Sequence, residues 1–189
     1  MERTVKILVP LAEGSEELEA VAIVDVLRRA GAKVDIVGIG GKSVTCSKGV
    51  KIEAEVLLDE VGSLYYDAIV IPGGMPGAEN IRNSEKFVAV LGNHFEKGAI
   101  IGAICASPAV VLDYHGITKG RRITCHPAFS HLVKHSFYSP DPLVIDSQFI
   151  TGKSAGYAID FALKLVELLF PPHVFEEVKK GMGLSHSHI

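Results

Sequence analysis

Short, almost wholly apolar runs separated by amphipathic segments constrain this chain more than any other feature. Val5 to Leu11 reads VKILVPL, Asp67 to Pro72 reads DAIVIP, and Ala99 to Ile104 reads AIIGAI. A strand with one wet face alternates apolar and polar residues, whereas a strand covered on both faces shows no polar side. Helical patterns lie between the runs: from the Gly14-Ser15 turn to about Arg29, from Asn83 to Lys97, from Ala106 to Tyr114, from Ala155 to Phe170, and after Pro171-Pro172. Strand and helix in alternation imply a mostly parallel, doubly wound α/β sheet with helices on both faces.

The segments differ in detail. Ser15 is placed to cap the first helix, and Glu16, Glu17 and Glu19 suit the positive end of its dipole. Leu18, Ala22, Val26 and Arg29 fall on helical spacing, and Gly31 stops the helix. Lys33 to Ile39 reads as a second strand. Residues 44–52 read as a small β-hairpin turning at Lys48-Gly49. Arg122 to Cys125 is a short strand, and residues 143–151 form a strand pair around Asp146-Ser147. In the 155–170 helix, Ile159, Ala162, Leu163, Val166 and Leu169 share a stripe. No linker or repeat interrupts the pattern, so the 189 residues are expected to form one domain, 1–189.

Composition bounds the function. A net charge of -3 gives no reason to expect a nucleic-acid or anionic-membrane partner. The chain runs from Met1 into a strand without a leader, and no apolar run reaches the about eighteen residues of a membrane span. Three cysteines, Cys46, Cys105 and Cys125, suit a reducing, cytoplasmic compartment. No CxxC or HExxH pair suggests a metal, and His186-Ser187-His188 reads as a frayed terminus. Three glycine clusters imitate nucleotide sites and fail. Acids fill the turn after the first strand, Gly38-Ile39-Gly40-Gly41 leads to the hairpin, and Gly152-Lys153-Ser154 lacks its upstream glycine. No cofactor is expected.

Chemistry concentrates at the carboxyl ends of the strands, where doubly wound folds place ligands. Cys105 sits between a buried strand and a helix, as in a nucleophile elbow with sulfur for oxygen. Helix N–H groups there are expected to lower the thiol pKa; a buried cysteine acting as a small hydrophobe is the bland alternative. Gly73-Gly74 lets the backbone approach a ligand. Glu16 and Glu17 read as dipole-compensating surface, Glu19 lies one turn further in, and His126 ends a strand.

The string from Glu13 to Ala20, then Val24 to Gly31, Ile71-Pro72-Gly73-Gly74, Ala103 to Pro108, and His126-Pro127 together resemble the ThiJ/PfpI superfamily, in the branch of the parkinsonism-associated DJ-one protein. The resemblance spans the chain and implies a flavodoxin-like sandwich, usually a homodimer. It implies Cys105 as reactive cysteine, Glu19 as the carboxyl touching it, His126 as the nearby histidine, and the amides of Gly74 and Ala106 as an oxyanion-stabilising pair. Arg28 and Lys48 become dimer-interface candidates. The implied activity is glutathione-independent glyoxalase or deglycase chemistry on methylglyoxal, related α-oxoaldehydes or their protein and nucleotide adducts. The non-enzymatic alternative is an oxidative-stress sensor or redox-regulated chaperone that uses Cys105 oxidation with little turnover. Thiamine-pathway involvement, an old family label, finds no phosphate site here. Three departures stand out: Lys48 for arginine, Thr151-Gly152-Lys153-Ser154-Ala155-Gly156 for a Ser-(Arg/Gln)-Gly-Pro-Gly stretch, and Ala106 where protease-like relatives carry histidine.

Overall fold

The computed structural model describes residues 3–184, so the histidine-bearing tail lies outside the described residues. Its eleven strands are β1 Lys6–Leu11, β2 Lys33–Gly38, β3 Ser43–Thr45, β4 Lys51–Glu53, β5 Val56–Leu57, β6 Ala68–Ile71, β7 Ile100–Ile104, β8 Arg122–Ile123, β9 Phe137–Tyr138, β10 Leu143–Asp146 and β11 Phe149–Gly152. The helices are α1 Glu17–Arg29, α2 Leu58–Val61, α3 Gly77–Arg82, α4 Glu85–Glu96, α5 Ala158–Leu169 and α6 Pro172–Gly181. A π-helical turn spans Pro108–Asp113, and 3-10 turns span Pro127–Leu132 and Ala155–Tyr157.

Seven strands form one sheet in the order β10-β11-β7-β6-β1-β2-β5, parallel except for β10 on β11. This is the doubly wound, mostly parallel sheet expected from the alternation, in the flavodoxin-like arrangement that the resemblance implies. Ile7, Leu8, Val9 and Leu11 of β1, and all of β6, are buried because helices cover both faces. On one side α1, α5 and α6 pack over Ile7, Val9, Val70 and Ile150. On the other, α3, α4 and the π-helical turn pack over Leu8, Ile69, Ile71 and Ile101. The β3–β4 hairpin stands apart as its own two-stranded sheet, as does the β8–β9 pair.

Several local expectations are corrected. Glu16, not Ser15, occupies the N-cap of α1, and it makes no side-chain cap bond. Ser15 is buried, and its hydroxyl accepts the Ala12 N–H at 3.1 Å. Of the 18-22-26-29 row only Val26 is buried; Leu18 is 55% exposed, while Glu19, Ala20, Ile23, Val24 and Leu27 join Val26 inside. In α5, Ile159 likewise points out at 44% exposure, and Phe161 and Leu165 take its place inside. Ser84 caps α4 by accepting the Phe87 N–H. The helix expected from Ala106 is a π-helical turn that begins at Pro108. Short elements without a long periodic run, α3 and the edge strand β5, were not anticipated.

The order of strands reverses between β1 and β6, so the loops following them part to leave a crevice. Beside it, β7 delivers Cys105.

Candidate active site around Cys105

Cys105 follows β7 directly and has φ 63, a left-handed conformation rare for a residue with a side chain. Its backbone is held on both sides, since its N–H donates to the Gly152 carbonyl at 2.9 Å and its carbonyl accepts from His126 N–H at 2.8 Å. Two residues on, the buried Ser107 hydroxyl donates to the Pro72 carbonyl at 2.6 Å, tying the elbow to the loop after β6. The elbow expected from sequence is present. The departing segment at 151–156 contributes through its main chain at Gly152, while the Lys153 ammonium turns away to the Pro140 carbonyl at 3.0 Å.

Gly73 and Gly74 explain themselves by distance. A Cβ on Gly73 would stand 2.7 Å from the Cys105 Cβ and 2.9 Å from Glu19 Oε2, and Gly74 has φ +88 with Glu16 N 2.4 Å from any added Cβ. Only glycine lets this loop pass between the thiol, the carboxyl and the start of α1. The Gly73 N–H donates to Glu19 Oε2 at 2.7 Å. The Gly74 and Ala106 N–H groups face the Cys105 sulfur closely enough to favour its thiolate.

Glu19 is fully buried beside that sulfur. Its Oε1 meets no donor in good hydrogen-bond geometry, so its contact with the thiol is a loose one. Burial raises the Glu19 pKa to about 7, against the lowering effect of the Gly73 N–H and the thiol. The thiol is pushed up to about 12, by burial first and then by the Glu19 charge and hydrogen bond, while the Gly74 and Ala106 amides pull it down. The expected fall in thiol pKa is therefore corrected. The helix-terminal amides act in the expected direction but are outweighed, by burial first and by Glu19 second. With the proton on Glu19 that repulsion vanishes and burial alone still opposes the thiolate, so thiol and carboxyl titrate as a coupled pair.

A cleft of about 230 Å³ opens over the sulfur, with Gly74, Cys105 and Ala106 among its lining residues. Glu16, Ser47, Lys48, Met75, His126 and Phe129 complete it. His126 Nδ1 accepts the Ala128 N–H at 3.2 Å, which leaves the proton of a neutral ring on Nε2. The ring lies 5.9 Å from that of Phe129. Glu16 Oε2 accepts the Ser47 hydroxyl at 2.5 Å. Cys46 and Cys125 are buried outside this cleft and carry raised pKa values of about 11 and about 12, from burial and then from Glu17 and Asp113 respectively. Among the described residues no three His, Cys, Asp or Glu side chains gather as metal ligands would. Nor is any described helix long and apolar enough to cross a membrane.

The structure thus brings together Cys105, Glu19, His126, Gly74, Ala106 and Lys48. Arg28 lies apart, donating to Glu55 at 2.6 and 2.7 Å and to the Val34 carbonyl at 2.8 Å. Sequence reasoning missed Met75 and Phe129, which carry no motif. It also misread Glu17 as surface, although Glu17 is nearly buried at 8% exposure.

The model described as the DJ-1/PfpI family matches residues 5–168. The chain belongs to that family. Among its DJ-1/PfpI relatives, Protein DJ-1 homolog B of Arabidopsis thaliana is 44% identical over 185 residues, 97% of this chain and 41% of the relative. A second plant relative, Protein DJ-1 homolog A, is covered to 43%, so the chain spans less than half the length of either. The Caenorhabditis elegans protein named Glutathione-independent glyoxalase DJR-1.2 is 36% identical, with 97% of this chain and 98% of the relative covered. The solved structure described as Toxoplasma gondii DJ-1, oxidized, superposes with a TM-score of 0.93 at 39% identity, covering 97% of this chain and all of that one.

Proposed function

We propose that this protein is a cysteine-dependent, glutathione-independent glyoxalase, with deglycase action on adducts, whose substrates are methylglyoxal and related α-oxoaldehydes. The observation that carries the reading is the contact of Cys105 with the buried Glu19 beneath two converging amides. The nematode relative named as a glyoxalase supports it.

The reaction is an internal redox exchange between neighbouring carbons, which is why no cofactor is required. Cys105 attacks as thiolate with the pair's proton on Glu19, forming a carbon–sulfur bond at the aldehyde carbon. The carbonyl electron pair moves to oxygen, where the Gly74 and Ala106 N–H groups receive it. That oxygen then takes the Glu19 proton, giving a hemithioacetal and leaving Glu19 as a carboxylate base. Glu19 removes the proton from the former aldehyde carbon and passes it to the ketone oxygen, giving an enediol. Glu19 then moves the hydroxyl proton of the first carbon to the second carbon, which leaves the second carbon reduced and the first a thioester carbonyl. Water cleaves the thioester, releasing lactate and restoring the thiol. His126, with Nε2–H as donor, holds a substrate oxygen. An accessible thiol of this kind also suits the oxidant-sensor reading, and the relative described as oxidized favours keeping it as the competitor.

Steady-state lactate production from methylglyoxal without glutathione decides between the two. Turnover by the wild type and none by Cys105→Ser is expected; oxidation of Cys105 without turnover would leave the sensor. Homodimerisation through α1 and the hairpin belongs to the same proposal. Leu18, Val21 and Val50 are more than half exposed there, beside an apolar cavity of about 290 Å³ between Val24, Ile36 and Ile52. Light scattering that gives the 20.2 kDa monomer at micromolar concentration would refute it.

A further inference from the structure

The cleft has one wall that the main sheet does not supply. Ser47 and Lys48 lie at the tip of the β3–β4 hairpin, whose ladder is only three residue pairs long and joins no other strand. The base of the hairpin is anchored by apolar packing, with Val44 and Cys46 buried against Leu11 and Ala20. Its tip is different: within the protomer Lys48, Gly49 and Val50 are exposed, and no apolar group of the same chain covers them.

What holds the tip is Glu17. One oxygen accepts the Lys48 N–H at 3.0 Å and the Val50 N–H at 3.3 Å, and the other accepts the Ser47 hydroxyl at 3.2 Å and the Lys48 N–H at 3.1 Å. The neighbouring Glu16 takes the Ser47 hydroxyl from the cleft side, and the Ser47 N–H reaches the Ser15 carbonyl at 2.8 Å. Glu17 does not line the cleft and touches none of its reacting groups. We infer that Glu17 is a positioning residue: by clamping the hairpin tip it sets where Ser47 and Lys48 stand, and so sets how well an α-oxoaldehyde fits over Cys105. This rests on the functional reading above for its substrate.

The test compares Glu17→Ala and Glu17→Gln with wild type in methylglyoxal kinetics and in amide hydrogen exchange at Lys48 and Val50. Glu17→Ala is expected to raise KM about tenfold, the worth of one hydrogen bond to a charged group. Its kcat, and iodoacetamide alkylation of Cys105, stay within about twofold, because neither reads the wall. Exchange at the two amides quickens at least about tenfold as the clamp opens. Glu17→Gln, which keeps one oxygen acceptor, falls between the two and decides the matter alone if Glu17→Ala does not fold. Faster exchange with an unchanged KM overturns the inference, and so does a lower kcat at unchanged KM, which would put Glu17 among the reacting groups. A wild type that alkylates at Cys105 but makes no lactate defeats the functional reading only. The wall is then judged by alkylation with chloroacetone, a three-carbon ketone, relative to iodoacetamide. A ratio about tenfold lower in Glu17→Ala supports the inference, and an unchanged ratio overturns it.

Discussion

Two carboxylates leave the first turn of α1 toward different neighbours, Glu17 to the hairpin and Glu19 to Cys105, and both are largely removed from water. Burial alone raises either pKa. For Glu17, its own N–H, those of Lys48 and Val50 and the Ser47 hydroxyl outweigh burial and bring the pKa below its ordinary value. Glu19 has a single strong donor, the Gly73 N–H, and burial wins. Depth and donor count together, Glu19 at 0% exposure with one backbone donor against Glu17 at 8% with several, separate a carboxylate that clamps structure from one able to hold and release a proton at neutral pH.

The largest expected effect comes from removing that proton transfer. Glu19→Gln keeps a hydrogen-bond donor beside sulfur but cannot act as a base, so lactate formation should drop about 10²–10⁴-fold. Iodoacetamide alkylation of Cys105 should remain. Near-wild-type turnover in this variant would erase the proposed contrast between the two acids.

A methyl group wedged between thiol and carboxyl is the next test. Gly73→Ala places a Cβ within 2.7 Å of Cys105 and 2.9 Å of Glu19. It should cost about 1–3 kcal/mol of stability by overpacking, and turnover should fall with it. Urea unfolding and methylglyoxal kinetics on the same sample check both.

Stability against pH sharpens the comparison further, because the signs oppose. Glu19 keeps its proton to about pH 7 in the folded chain but only to about 4.5 when unfolded. Between those values the folded state binds more protons, so the Glu19 contribution is fully present below the lower value and lost as pH rises through the upper one. At about 1.4 kcal/mol per pKa unit this amounts to about 3 kcal/mol. Urea unfolding at pH 4.5 and pH 8 should show that difference between wild type and Glu19→Gln; equal slopes for the two would contradict it. The Glu17 contribution runs the other way, present above about 4.5 and lost as pH falls through its lowered folded value.

The smallest effect concerns the other thiols. Limiting iodoacetamide at pH 7 should label Cys105 ahead of Cys46 and Cys125, since the latter two are 4% and 0% exposed. Peptide mapping that finds either of them labelled first would remove the special status of the elbow.

How far these two regions were legible in the sequence follows from the range of the interactions. The strands were readable because burial on both faces is written in consecutive residues, as in β6. Cys105 was readable because strand, small residues and Pro108 lie side by side. The packed face of α1 was misread because Glu17 and Glu19 face inward toward groups dozens of positions away, and hydropathy ranks a carboxylate as outward-facing. Glu19 was placed at the site by family resemblance; its partner Gly73 is 54 positions on. Glu17 had no such help, and its donors on the hairpin are 30 to 33 positions distant. The thiol pKa was misjudged for the same reason, since burial, the larger cause, and the Glu19 charge both come from parts of the chain distant from the elbow.

The scattered origin of the cleft also gives the reactive thiol a place in time. Its parts, Glu16 and Glu19, Ser47 and Lys48, Gly73 to Met75, Cys105 and Ala106, and His126 and Phe129, meet only when parallel strands distant in the chain have paired. Such long-range pairing is slow to form. A nascent chain still lacking β7 has no Cys105 at all, and one that has just gained it has a thiol with neither amides nor carboxyl in place. The onset of selective Cys105 alkylation is thus a clock for completion of the sheet, readable during refolding without any added probe.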